Sequence, residues 1–209
     1  MKIVAISDTH NRHREIALPQ GDVLIHAGDF TSMGREAEIA DFGRWLNDQP
    51  FQHKIVVPGN HDLMFDYQFE RAQALLPPDV ILMGGHPDYT YDIDGVVFAA
   101  NSFTPEFGDW AFQHTAKEAQ AYYARMPRKV DVLITHGPPK GVLDLCPGGS
   151  VGCPALNRHV FSTKPKHHIF GHIHESYGNC TVLGVAFHNV SMLDGRYATT
   201  NRRPLEIEI

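Results

Sequence analysis

The sequence predicts an α/β fold in which two packed sheets are flanked by helices, all within one domain spanning residues 1–209. Two observations carry this. Early in the chain, short apolar runs alternate with stretches of helical spacing, whereas after Val80 apolar runs follow one another closely, split by turn dipeptides. The chain is also long enough to bury a full core, and 43% apolar with 20% charged residues is ordinary globular composition.

Ile3 to Ile6 reads as a buried strand and ends in Ser7-Asp8-Thr9-His10. Asp22-Val23-Leu24-Ile25-His26 is a second strand, running into Ala27-Gly28-Asp29. Gly34 to Asn47 has helical spacing, with Ile39, Phe42, Trp45 and Leu46 on one face. Lys54 to Val57 is a third strand, stopped by Pro58 and followed by Gly59-Asn60-His61-Asp62. Leu63 to Leu76 reads as one helix closed by Pro77-Pro78.

Val80–Leu82, Tyr89–Ile93 and Val96–Ala99 follow as short strands, with Gly84-Gly85 and Asp94-Gly95 between them as hairpin turns. Thr115 to Met126 is a helix ended by Pro127. Val130 to Ile134 is another strand, leading to Thr135-His136-Gly137-Pro138-Pro139. A Gly/Pro/Cys-rich loop spans Gly141 to Pro154, and a short helix covers Ala155 to Phe161. The run to Phe170 delivers Gly171-His172-Ile173-His174, where extended backbone would point both rings the same way, toward one metal centre. Thr181–Leu183, Val185–Asn189 and Leu205–Ile209 complete the strands.

A formal charge of -6 without a local Lys/Arg cluster argues against gripping a nucleic-acid polymer or an anionic membrane. The first residues are too soon polar for a signal peptide, and no apolar run approaches the ~20 residues of a membrane helix. Cys146, Cys153 and Cys180 lack C-x-x-C spacing and read as free thiols in a cytoplasmic protein.

Five apolar runs thus end in Asp8/His10, Asp29, Asn60/His61, His136 and His172/His174. In open α/β sheets, ligands bind beyond the carboxyl ends of the strands. Carboxylates, a carboxamide oxygen and imidazoles gathered there form a mixed O/N ligand set suited to Mn, Fe or Zn. Each residue alone has a structural explanation, since Asp and Asn start turns and buried histidines are often satisfied core. Five coincidences at five strand ends favour a metal site. Two divalent ions against Asp8 and Asp29 would leave the pocket about +2, attractive to phosphate.

Asp8-Thr9-His10, Gly28-Asp29, Gly59-Asn60-His61-Asp62, Thr135-His136 and Gly171-His172-Ile173-His174 resemble the five blocks of the calcineurin-like metallophosphoesterases. The segments 135–139 and 168–175, with Ser102-Phe103-Thr104-Pro105 and Trp110, are similar to the animal metallophosphoesterase-domain-containing phosphodiesterases. The resemblance implies a four-layered αββα sandwich. It implies two divalent ions, Mn favoured, one on Asp8, His10, Asp29 and His174, the other on Asp29, Asn60, His136 and His172. It further implies attack on phosphorus by a metal-bridging hydroxide, with His61 assisting the leaving group.

One departure bears on substrate. Where protein phosphatases of the superfamily carry Asp and Arg three and four residues after the bridging Asp, this chain has Ser32 and Met33. His61 is therefore expected to lack its orienting carboxylate, and a phosphate clamp is missing. The expected activity is hydrolysis of a small phosphodiester, cyclic nucleotides included, with Asn11, Asn60 and His61 as substrate contacts. The rivals are a phosphomonoesterase or phosphoprotein phosphatase, and a non-catalytic scaffold. The remaining nine histidines read as surface or core, and Phe103, Phe107, Trp110 and Phe112 as packing of their loop rather than a stacking platform.

Overall fold

A computed structural model describes residues 1–84 and 89–209. Strands β1 (Lys2–Ile6), β2 (Val23–His26), β3 (His53–Val56) and β4 (Val80–Leu82) pair in parallel. A second sheet contains β5 (Thr90–Ile93), β6 (Val96–Asn101), β7 (Val132–Thr135), β8 (His167–Phe170), β9 (Gly178–Val182) and β10 (Val185–Asn189). Its order is β9-β10-β8-β7-β6-β5, with β6, β7, β8 and β10 parallel and a hairpin at each edge. The last strand, β11 (Leu205–Glu208), returns antiparallel to β1 and completes the first sheet.

Alternation along the strands builds three apolar layers. Ile3, Ala5, Val23, Ile25 and Ile55 face Phe98, Ala100, Val132, Ile134 and Ile169 between the sheets. Residues of opposite parity, Val4, Ile6, Leu24 and Val56, pack on Ile39, Phe42, Trp45 and Leu46 of α1 (Glu36–Asn47). On the far side, Ala99, Leu133, Phe170 and Phe187 meet α4 (Ala116–Arg125) and α5 (Pro154–Thr163), which follow α2 (Met64–Tyr67) and α3 (Phe69–Gln73) in the chain. Strands apolar on both faces require a cover on both faces, so the layers stack as αββα. Burying each large apolar side chain is worth about 1.5–3 kcal/mol, enough in sum to carry strained loops at one rim.

Two expectations are corrected. The helix over Leu63 to Leu76 is broken at Gln68 (φ -144°, ψ 55°) into α2 and α3. Phe65, Asp66, Tyr67 and Phe69 all have weak helix propensity, which leaves little to resist the break. Gly84-Gly85 does not turn a hairpin, because β4 lies in the first sheet and β5 in the second; Gly85 itself is outside the described residues. Asp94 and Gly95, with φ of 51° and 84°, do form a two-residue hairpin loop between β5 and β6.

Candidate metal centre

The carboxyl ends of β1, β2, β3, β7 and β8 open on one rim, at the seam between the sheets. Ser7 stitches that seam, its amide donating to Val190 O (3.0 Å) and its carbonyl accepting from Met192 N (2.9 Å). The rim loops are zipped to one another: Asp8 N donates to Gly28 O at 2.9 Å, His10 N to Asp29 O at 3.0 Å, and Gly171 N to His136 O at 2.9 Å. Asp8, His10, Asn11, Asp29 and His172 all have left-handed backbone, with φ between 40° and 68°. That conformation costs about 1–3 kcal/mol for a non-glycine residue, and five such residues fall together at this rim.

Close approach explains two glycines. A Cβ on Gly59 would collide with the Asp29 carboxylate and the His136 ring, and one on Gly171 with Asp8 and Ser7.

Potential ligand atoms of Asp8, His10 and His174 lie within 4.8 Å of one another, as do those of Asp29, His136 and His172. Asp29 reaches both groups, its Oδ2 standing 3.4 Å from His136 Nε2 and 3.9 Å from His10 Nε2. Asn60 Oδ1 lies 2.9 Å from His136 Nε2, which attaches Asn60 to the second group. The chain around His172 and His174 is not extended: His172 is left-handed and His174 opens a 3-10 turn, so the two rings fall in different groups.

The donor set fits divalent ions. The Nδ1 atoms of His10, His136 and His174 are held by the backbone carbonyls of Thr31 (3.2 Å), Ala27 (3.0 Å) and Asp194 (2.9 Å). Each bond fixes the tautomer and leaves Nε2 turned inward, the arrangement of metal-ligating histidines. His10 Nε2 and His174 Nε2 face each other at 3.3 Å. His136 has acceptors at both ring nitrogens, a geometry that either a second proton or a cation satisfies.

The charges are arranged accordingly. Burial works to raise the Asp8 and Asp29 carboxyls, yet His174 beside the first and His136 beside the second hold both well below the ordinary range. Burial likewise opposes protonation of His136, but Asp29 outweighs it and lifts the ring to about 9. Burial brings His10 down to about 4 and His172 to about 3.

His61 is half-buried at the edge of this floor. Its amide donates to Asp29 Oδ1 (2.8 Å), and its Nδ1 is held by the backbone carbonyl of Ser32 at 2.7 Å. The carboxylate is absent from Nδ1, as expected, and a main-chain carbonyl takes its place. His61 forms a third group with His10 and Asp29. Its ring also lies 4.1 Å from Trp110, tilted by 31°.

Asp62, given no role from sequence, is a buried buttress. Its carboxylate accepts from Asp29 N (2.9 Å), Gly59 N (2.7 Å), Thr31 N (2.9 Å) and Thr31 Oγ1 (2.7 Å), locking the loop after β2 to the loop after β3. Arg202 does the same for the last block, donating to the carbonyls of His174, Ser191 and Leu193.

The floor opens into a cavity of about 470 Å³ whose walls include Phe107, Val151 and Tyr197. Asn11 does not line it; its amide is turned onto Ser32 Oγ (2.9 Å) and Glu38 (3.0 Å). The aromatics of the 103–112 segment divide. Phe103 and Phe112 pack inward as expected, whereas Trp110 rests on His61 and Phe107 stands exposed over His172. Tyr197, missed from sequence, sets its ring 4.7 Å from His10, and no periodicity or motif near it could have flagged it. Of the remaining histidines, His13, His26 and His168 are fully buried in core, His167 and His188 pair at 3.2 Å, and His86 lies outside the described residues.

A model of the calcineurin-like phosphoesterase family matches residues 1–176. The chain is a calcineurin-like phosphoesterase. Metallophosphoesterase domain-containing protein 1 of Homo sapiens is 35% identical over 235 residues, taking in 100% of this chain and 71% of that protein. A UPF0046 protein of Caenorhabditis elegans is 39% identical over 188 residues, covering 85% of this chain and 65% of its own. The crystal structure of TT1561 of Thermus thermophilus superposes with a TM-score of 0.65 at 14% identity, over 99% of this chain and 97% of that one, a likeness of fold. Calcineurin-like phosphoesterases are hydrolases that use divalent metal ions, and this member holds candidate ligand groups for them. Among its described residues no helix is long and apolar enough to cross a membrane.

Proposed function

We propose that this calcineurin-like phosphoesterase is a dinuclear phosphodiesterase acting on small nucleotides, cyclic ones among them. The observation that carries the reading is Asp29, whose carboxylate reaches both ligand groups and also takes the amide of His61. Asp8, His10, Asp29 and His174 would hold one ion, and Asp29, Asn60, His136 and His172 the other, with Mn²⁺ favoured over Fe or Zn. Bound ions supply Lewis acidity and a nucleophile generated from water at neutral pH.

The chain's own residues do the rest. The Nδ1 bond to Ser32 fixes the His61 ring, so that a proton on Nε2 faces the cavity and can pass to the departing ester oxygen. Trp110 supports that protonated ring through its π-face. Asn60 and His61 are the substrate contacts; Asn11, turned onto Ser32 and Glu38, orders the rim instead. Among the described residues no Lys or Arg lines the cavity, which favours a diester monoanion over a phosphomonoester or a phosphoprotein. The free thiols of Cys146, Cys153 and Cys180 suit a cytoplasmic protein.

The test is a panel of phosphate mono- and diesters assayed after dialysis against chelator, with and without Mn²⁺. Turnover of diesters only with metal is expected. Full activity in excess chelator would sink the mechanism, and preference for monoesters would sink the substrate class.

A further inference from the structure

The mouth of the cavity is apolar where hydration would ordinarily demand polar groups. Phe107 is 55% exposed, Tyr197 48% and Val151 38%, and all three line the same 470 Å³ space. That volume suits a nucleotide-sized ligand. Exposed apolar surface gathered at a cavity mouth is the signature of a binding groove rather than of packing.

The two rings stand over different halves of the floor. Phe107 lies 5.3 Å from the ring of His172, in the second ligand group. Tyr197 lies 4.7 Å from His10 and 5.1 Å from His174, both in the first group. Neither ring is there by accident of a loose loop. Tyr197 N donates to Asp194 O at 2.9 Å, and the same carbonyl accepts from His174 Nδ1, so one residue aims both the ring and the ligand. Asp194 Oδ1 closes the turn by accepting from Arg196 N (2.9 Å) and Ala198 N (3.0 Å). Phe107 is set by its amide, which donates to Gln113 Oε1 at 3.2 Å.

The charged lining points the same way. Glu106 and Glu175 are exposed on the wall, and among the described residues no Lys or Arg lines it to receive a second phosphoryl charge. What lies beyond the reacting phosphorus is therefore best uncharged and flat.

We propose that Phe107 and Tyr197 determine specificity by gripping a planar apolar ester group, such as a nucleobase-sized ring, of a monoanionic phosphodiester. This rests on the phosphodiesterase reading, and sharpens it to diesters carrying an aromatic group. Stacking of one ring on an aromatic side chain changes affinity by about tenfold.

The test is calorimetric, on the Mn²⁺-loaded full chain. Two monoanions of equal charge that have no ester bond to cleave, methyl(phenyl)phosphinate and dimethylphosphinate, are titrated into wild type and variants. Wild type should bind the phenyl compound at least tenfold more tightly. Phe107→Ala and Tyr197→Ala should each reduce that ratio several-fold with metal content retained, and Tyr197→Phe, which keeps the ring, should preserve it. A wild-type ratio near one, or a ratio unchanged in both alanine variants, overturns the inference. If the same protein hydrolyses diesters in the panel above, only this inference falls; if it hydrolyses monoesters alone, the phosphodiesterase reading falls and this one with it.

Discussion

The floor and the walls of the cavity are built by opposite means. On the floor, Asp8 and His136 are fully buried, and three of the candidate ligand rings are fixed at Nδ1 by main-chain carbonyls. The walls are exposed side chains, Phe107 and Tyr197 among them, placed by one or two backbone bonds and ring contacts. Geometry that must be right to a fraction of an ångström is over-determined. Geometry that selects among substrates is left open to change by a single substitution, without disturbing the chemistry beneath.

The contrast is broken most severely by Asp29→Asn. A carboxylate that reaches both groups should be worth more than one that serves a single group, so Asp29→Asn is expected to lose both metals and more activity than Asp8→Asn. Metal stoichiometry measured beside rate decides it; two tightly held ions in Asp29→Asn would refute the bridging role. Next comes His61→Ala, which should cost about 10²–10⁴-fold on a cyclic nucleotide, whose alkoxide needs a proton to leave. On a nitrophenyl diester the loss should be far smaller, and metal content should be unchanged. Lost metal would instead place His61 among the ligands, which its grouping with His10 and Asp29 makes a real alternative.

Asp62→Asn probes the outer support of the floor. An amide presents one acceptor and an N–H₂ where four donors now converge, so metal affinity should fall about 10–100-fold. Denaturant titration should also show a loss of roughly 2 kcal/mol or more, the cost of leaving buried donors without an acceptor. Normal stability in that variant would mean that the two loops are held by other contacts. The smallest effect is expected for Ser32→Asp. Its hydroxyl receives the Asn11 amide while its carbonyl holds His61, so a new carboxylate has no vacant role at the ring. A rate change beyond about twofold on a diester with a poor leaving group, of the kind that general-acid assistance governs, would show the added carboxylate acting on His61.

What was legible in the sequence follows the same division. The gathering of Asp8, Asp29, His136 and His174 was legible because parallel strands end abruptly and leave the polar residues that follow them at one rim. The four layers followed from strands apolar on both faces, with the resemblance supplying the stacking. The break at Gln68 was hidden because periodicity persists through it. What holds His61 was not legible, because the side-chain identity of Ser32 says nothing about where its carbonyl points. Tyr197 and Phe107 sit in loops whose folding depends on Asp194 and Gln113, partners that no local pattern reveals.

The left-handed residues at the rim carry a consequence for laboratory evolution. At Asp8, His10, Asn11, Asp29 and His172 glycine would relieve the backbone, and at four of the five it would also delete a candidate ligand. A library of this chain screened only for heat resistance should therefore drift toward glycine at His10, Asn11 and His172, shedding candidate ligands, whereas at Asp8 and Asp29 it would leave the part-buried amides of His172 and His61 unpaired and be selected against.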